Sequence, residues 1–260
     1  MANQRQGNRG SGARPTKAER KDQARQEREE IQARMARGRR NRWIAIGVVV
    51  VLVGAVAAFA LTRESAPSAS ETEAANLLST AGAEAEAAGC TDARNVGEYQ
   101  PADLDRPHVG AEGGPAEMPP LSSYPSQPPA SGPHLEATLA AGVYDSPPPI
   151  GDLIHSLEHG AAIVWYAPDT SGPELDRIKD FYGSSDVGAR VVVAPYDYPD
   201  EGTAGALPSG AQMALVAWHH LETCASVNLA AAFDFTAHYG APPYGDEDYL
   251  GDAPEPGAPI

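Results

Sequence analysis

Nineteen consecutive residues without a charged side chain, Trp43 to Leu61, divide this 260-residue chain into two parts of opposite electrical sign. At 1.5 Å per residue a helix of that length covers about the ~30 Å hydrocarbon core of a bilayer, and it exceeds the ~7–15 apolar residues of a cleaved signal peptide. The segment 43–62 therefore reads as one N-terminal transmembrane helix, retained as an anchor although Ala58-Phe59-Ala60 resembles a cleavage site. Residues 1–42 carry 13 Lys/Arg against 5 Asp/Glu, the rest of the chain 6 against 30, and only Arg63 follows the span closely. The positive-inside rule then puts the arm in the cytoplasm and everything after the span outside the cell membrane.

The arm, 1–42, has almost no apolar residues between Pro15 and Arg40 and cannot bury a core. Its charge suits anionic lipid headgroups beside the anchor, and no nucleic-acid partner is expected. Residues 63–89, rich in Ala, Glu and Ser with one Leu77-Leu78 pair, read as a stalk. A single globular domain is expected over 90–240, and the acidic, proline-rich tail 241–260 reads as disordered.

Cys90 and Cys224, the two cysteines of the chain, bracket that domain on its oxidising side. A disulfide is the reading, with a thiolate metal ligand as the alternative. From Arg106 to Pro149 proline and glycine dominate; proline lacks an N–H and biases its predecessor toward extended backbone, which excludes helices and central strands. Tyr124, His134, Leu139, Val143 and Tyr144 punctuate the run, so ordered loops are expected rather than a linker. Apolar runs predict strands at 161–166, 190–195 and 212–219. Helical spacing predicts a helix opening at Gly172-Pro173 and stopping at Gly183, and another capped by Ser226 and ending at Gly240. The fold class is α+β, a small sandwich with long Pro/Gly-rich loops, with a parallel α/β arrangement left open.

Chemistry concentrates in DLIHSLEHGAAIVWY, residues 152–166. His155 and His159 share a face whether the segment is helix or strand, whereas Glu158 joins them only on a helix. With His134 and His108 arriving from the loops, these are the candidate ligands of a transition metal, copper or zinc, with Glu158 orienting a ligand from behind. Met118 and Met213 are soft donors that would tilt such a site toward copper. HSLEH also matches the inverted zincin pattern H-x-x-E-H, in which Glu158 would be the catalytic base and Glu222 a downstream ligand. The segment offers barely two helical turns for that role, and no phosphate loop or nucleophile motif accompanies it.

YPSQPPASGPH, GVY and LIHSLEHGAAIVWY, in that order and spacing, resemble the DUF3105 family, a bacterial domain of unknown function often found behind one N-terminal anchor. The likeness covers Cys90 to Tyr239 and implies that His108, His134, His155, Glu158 and His159 are the matching motif positions. Family members commonly carry Trp-Gly after the third strand. This chain has Trp218-His219-His220, which makes that His pair look incidental. Two functions are expected on these grounds: an extracytoplasmic protein that handles or senses metal, or an anchored interaction module, docking an extracytoplasmic protein partner, whose His/Glu cluster is a hydrogen-bond network. No reaction is named by the sequence.

Overall fold

The computed structural model describes residues 68–184 and 188–260, together with Arg25, Met35, 47–49 and Val51. The expectations for the basic arm 1–42, for a transmembrane helix over 43–62 and for the first residues of the stalk thus lie almost wholly outside the described residues. Among those that are described, no helix is long and apolar enough to cross a membrane. Contacts divide the chain into a unit of residues 1–66 and one of 67–260, and the second carries the fold.

Its centre is three apolar strands that the sequence announces: β3 (Ala162–Tyr166), β4 (Val191–Pro195) and β5 (Met213–Ala217), every residue of them buried. Strands buried on both faces read as unbroken apolar runs. β4 and β5 lie either side of β3, parallel and antiparallel to it, with Trp165 opposite both Ala194 and Ala214. Two-residue β1 (Arg94–Asn95) and β2 (Gly142–Val143) and the five-residue β6 (His220–Cys224), which sequence reading did not anticipate, complete a six-stranded sheet in the order β1-β6-β5-β3-β4-β2. The sheet is mixed: β2–β4–β3 is parallel and β3–β5–β6–β1 antiparallel. The α+β expectation thus holds only in its coarser form, a mixed helix–sheet domain.

Alternation along the strands creates two cores. Val164, Tyr166, Val193, Met213 and Leu215 face one side, where helices α1 (Ala69–Ala87), α3 (Pro173–Ser184) and α4 (Leu229–Tyr239) pack. Ile163, Trp165, Val192, Ala214 and Val216 face the other, covered by helix α2 (Ile150–Glu158) and by the Pro/Gly loops through Tyr99, Leu121, Tyr124 and Ala130. Cys90 and Cys224 are joined in a disulfide that ties the chain after α1 to the end of β6.

Several boundaries differ from expectation. From Ala69 the presumed stalk is α1, begun by a reciprocal cap in which Ser68 and Glu71 each bond the other's backbone N–H. Ala74, Leu77 and Ala81 are buried at helical spacing, and α1 packs on Ala-rich α4. A stripe made mostly of alanine gives little amphipathic signal, yet small side chains let two helices approach closely. Asn228 rather than Ser226 caps α4, accepting from Ala231 N at 2.9 Å. The tail 241–260 is not a loose extension: Ala241 is buried and its N–H donates to Gly160 O. Later tail residues lie along the end of α2, held through backbone amides and charges that hydrophobic patterning does not register.

Candidate metal centre

α2 has no side-chain N-cap, but Leu153, Ile154 and Leu157 bury completely against the sheet. That packing turns His155 and Glu158, three apart, toward the loops. The helix ends at His159, so the negative end of its dipole lies beside them and favours a cation there.

The opposing wall is the proline-rich loop that carries His134. It is buried from Pro128 to His134, and several of its backbone groups are paired within the domain, Ala130 O accepting from His219 N among them. Asp105 anchors it: Oδ1 accepts from Tyr99 N at 2.6 Å and Ser131 Oγ at 2.7 Å, and its carbonyl accepts from Gly132 N. Tyr124 Oη donates to Pro133 O. Gly132 has φ +115°, and a Cβ there would stand 2.8 Å from the Tyr124 ring and 2.9 Å from the Tyr99 ring, so only glycine fits. A single bridge then pairs His108 with His134 in parallel, Val109 N donating to His134 O at 2.8 Å, and sets the two imidazoles side by side.

The result is one cluster. The ring centroids of His108, His134 and His155 lie 4.7–4.9 Å apart. One potential ligand atom from each of these and from Glu158 falls within 4.8 Å of all the others. Three of the imidazole nitrogens, His108 Nε2, His134 Nε2 and His155 Nδ1, are buried without a hydrogen-bond partner. Such atoms are costly to bury unless something binds them. His134 Nδ1 lies 2.8 Å from Gly132 O; a carbonyl only accepts, so Nδ1 carries a proton and Nε2 is the nitrogen left to face the cluster. Nε2 lies 3.1 Å from Glu158 Oε2, without hydrogen-bond geometry. At that distance a proton or a metal ion must stand between the nitrogen and the carboxylate, because two bare acceptors would repel.

Charge is managed around the cluster. Burial alone would raise the Glu158 pKa, but His134, with a proton between its Nε2 and Oε2, and the Arg106 guanidinium outweigh it and hold the carboxyl down at about 2. Arg106 Nε donates to Glu158 Oε1 at 2.6 Å and Nη2 to Glu255 Oε1 at 2.9 Å. Burial, then the neighbouring rings of His134, His159 and His108, lowers the His155 pKa and favours the neutral, metal-binding form.

Of the expected ligands, His108, His134 and His155 converge, and Glu158 lies within the same group of atoms. His159 is not in the group. Its ring lies 4.5 Å from that of His155, but its Nδ1 donates to Pro259 O at 2.6 Å and Nε2 faces Glu255 at 3.6 Å. The two histidines of the HxxEH pattern therefore do not share a ligand set. Glu222 sits elsewhere, grouped with Cys90 and Cys224, whose sulfurs are joined to each other. Met213 belongs to the core on the far face of the sheet.

The His219–His220 pair is not incidental. His219 occupies the turn between β5 and β6 with φ +59°, the left-handed backbone that glycine adopts without strain. Its imidazole compensates, donating to Asp105 Oδ2 at 2.8 Å and Asp252 Oδ2 at 3.3 Å. Burial opposes its charge, yet the two carboxylates raise its pKa. Asp105, Arg106 and Glu255 carried no motif signal; their roles arise from contacts across 52 to 149 residues of sequence.

A family model, DUF3105, described as a protein of unknown function, matches residues 121–253, just over half the chain, and the chain belongs to that family. The match takes in His134, His155, Glu158 and His159 and leaves out His108. No curated protein and no solved structure matches.

Proposed function

We propose that this DUF3105 protein is a membrane-anchored extracytoplasmic protein that binds one divalent transition-metal ion through His108, His134, His155 and Glu158. One observation carries the reading: three buried imidazole nitrogens without partners converge with a carboxylate inside 4.8 Å. Three imidazoles and one carboxylate suit zinc(II) or copper(II), borderline ions that take nitrogen and oxygen donors. Bound metal would place a positive charge between His134 Nε2 and Glu158 Oε2, where two acceptors otherwise oppose each other. Arg106 and the Gly132 carbonyl would orient the carboxylate and the imidazole from behind. The function is capture or sensing of the ion.

The test uses the purified full-length chain, stripped with chelator, loaded with zinc or copper(II), desalted and analysed for metal. One ion per chain is expected. His134→Ala and His155→Ala each lose most of it, while His159→Ala and His238→Ala retain it. Wild-type protein that keeps well under one ion of either metal refutes the reading and leaves the cluster as an Arg106–Glu158–His134 network.

Support for the anchor is the uncharged run and its charge asymmetry, together with Val48, Val49 and Val51, helical and 53–69% exposed. Protease added to intact cells should remove the domain and spare the arm. Mature protein beginning near Ser65 would show instead that the span is cleaved.

A further inference from the structure

Resting on that metal reading, we infer that segment 252–259 is a strap that closes the centre and sets how fast an ion enters and leaves. His134 is fully buried and His155 and Glu158 nearly so, which leaves the partly exposed His108 side as the approach. The strap runs beside it, tied through Glu255 to Arg106, two residues before His108. Glu255 N donates to Glu158 O and Gly257 N to His159 O, both at 3.1 Å, satisfying carbonyls that the end of α2 leaves open. The Glu255 side chain reaches both flanks of the cluster, Arg106 on one and His159 on the other. Beyond it, His159 Nδ1 donates to Pro259 O, and Arg190 Nη2 donates to Ala258 O and to His159 O. Before it, Asp252 accepts from Asn95 and faces His219 and His220, each contact 3.3 Å.

Which wall moves is decided by burial. The His134 loop and α2 are buried and locked by packing, whereas no residue of 252–259 is buried. A segment held by surface hydrogen bonds and exposed charges opens at far lower free energy than a packed helix or sheet. Its main side-chain latch, Arg106 to Glu255, joins two groups that are each 51% exposed, the kind of pair that contributes little. The strap is thus attached at several points, with Ala253 packed at the margin of the core, but none of its residues is buried. Arg106 makes it responsive: the guanidinium that grips Glu255 also grips Glu158, and an ion drawing on the Glu158 carboxylate competes with Arg106 for it.

The experiment is zinc release from the loaded full-length chain into excess chelator. Glu255→Gln should release zinc about two- to fivefold faster, the effect of one exposed ion pair, and a chain stopped after Gly251 should release it faster still, both still holding one ion. Equal release rates in wild type and both variants overturn the strap. Should the shortened chain not fold, Glu255→Gln decides alone. Hydrogen exchange on the metal-free protein separates this inference from its premise: the amides of Glu255 and Gly257 should exchange well before that of Val164 in β3. Protection of all three to the same degree overturns the strap even where zinc binds; absence of zinc in wild type overturns the metal reading, and the gate with it.

Discussion

Replacing Glu158 with glutamine keeps the shape of the side chain and removes its charge, and the structure sets the size of the effect. Against the cost of burial, the carboxyl is held from an ordinary 4.5 down to about 2 by His134 with a proton on Nε2 and by Arg106. At ~1.36 kcal/mol for each tenfold change in proton affinity, the ionised form stabilises the fold by at most about 3.4 kcal/mol at neutral pH. A depressed carboxyl pKa gives stability that is present above the unfolded value and lost as pH falls through the folded one, so the window runs from about 4.5 down to about 2. In metal-free protein Glu158→Gln should therefore cost about 2–3 kcal/mol at pH 7, shrinking to roughly 1.4 kcal/mol or less at pH 3. Urea unfolding followed by tryptophan fluorescence reads this directly, because Trp165 and Trp218 are fully buried. A destabilisation equal at pH 7 and pH 3 refutes the reasoning, since it would trace the loss to geometry rather than to charge.

Gly132→Ala places a Cβ against two tyrosine rings at a positive φ and should destabilise by at least about 2 kcal/mol in the same urea assay. It should also weaken metal retention, because the Gly132 carbonyl holds the His134 ring; an unchanged urea midpoint would show that the loop yields. The denatured, unreduced chain should expose no alkylatable thiol, and reduction should cost up to about 4–5 kcal/mol, the chain-entropy value for a crosslink spanning 134 residues. Two alkylated cysteines before reduction would remove the disulfide from the argument.

The strands were legible because β3, β4 and β5 are buried on both faces, which forces continuous apolar runs. α3 and α4 were legible because their packed faces recur at helical spacing. Of the candidate site, His155 and Glu158 could be paired from three-residue spacing alone once the segment was taken as helical, and His108 and His134 were named from their place in the Pro/Gly-rich loops together with the family likeness. These are local properties, dictated by backbone periodicity acting on neighbouring residues.

Tertiary structure alone decided the rest. That His159 turns from the cluster depends on Pro259, a hundred residues later. The bridge that aligns His108 with His134 is a single backbone pairing between two irregular loops, with no periodicity to betray it. α1 joined the domain through alanines, and the tail joined it through amides, carboxylates and two arginines. Hydrophobic burial writes a pattern into the sequence because every buried position needs an apolar residue. A polar contact between distant segments needs only one donor and one acceptor at the right place, so it leaves no pattern until the fold brings them together.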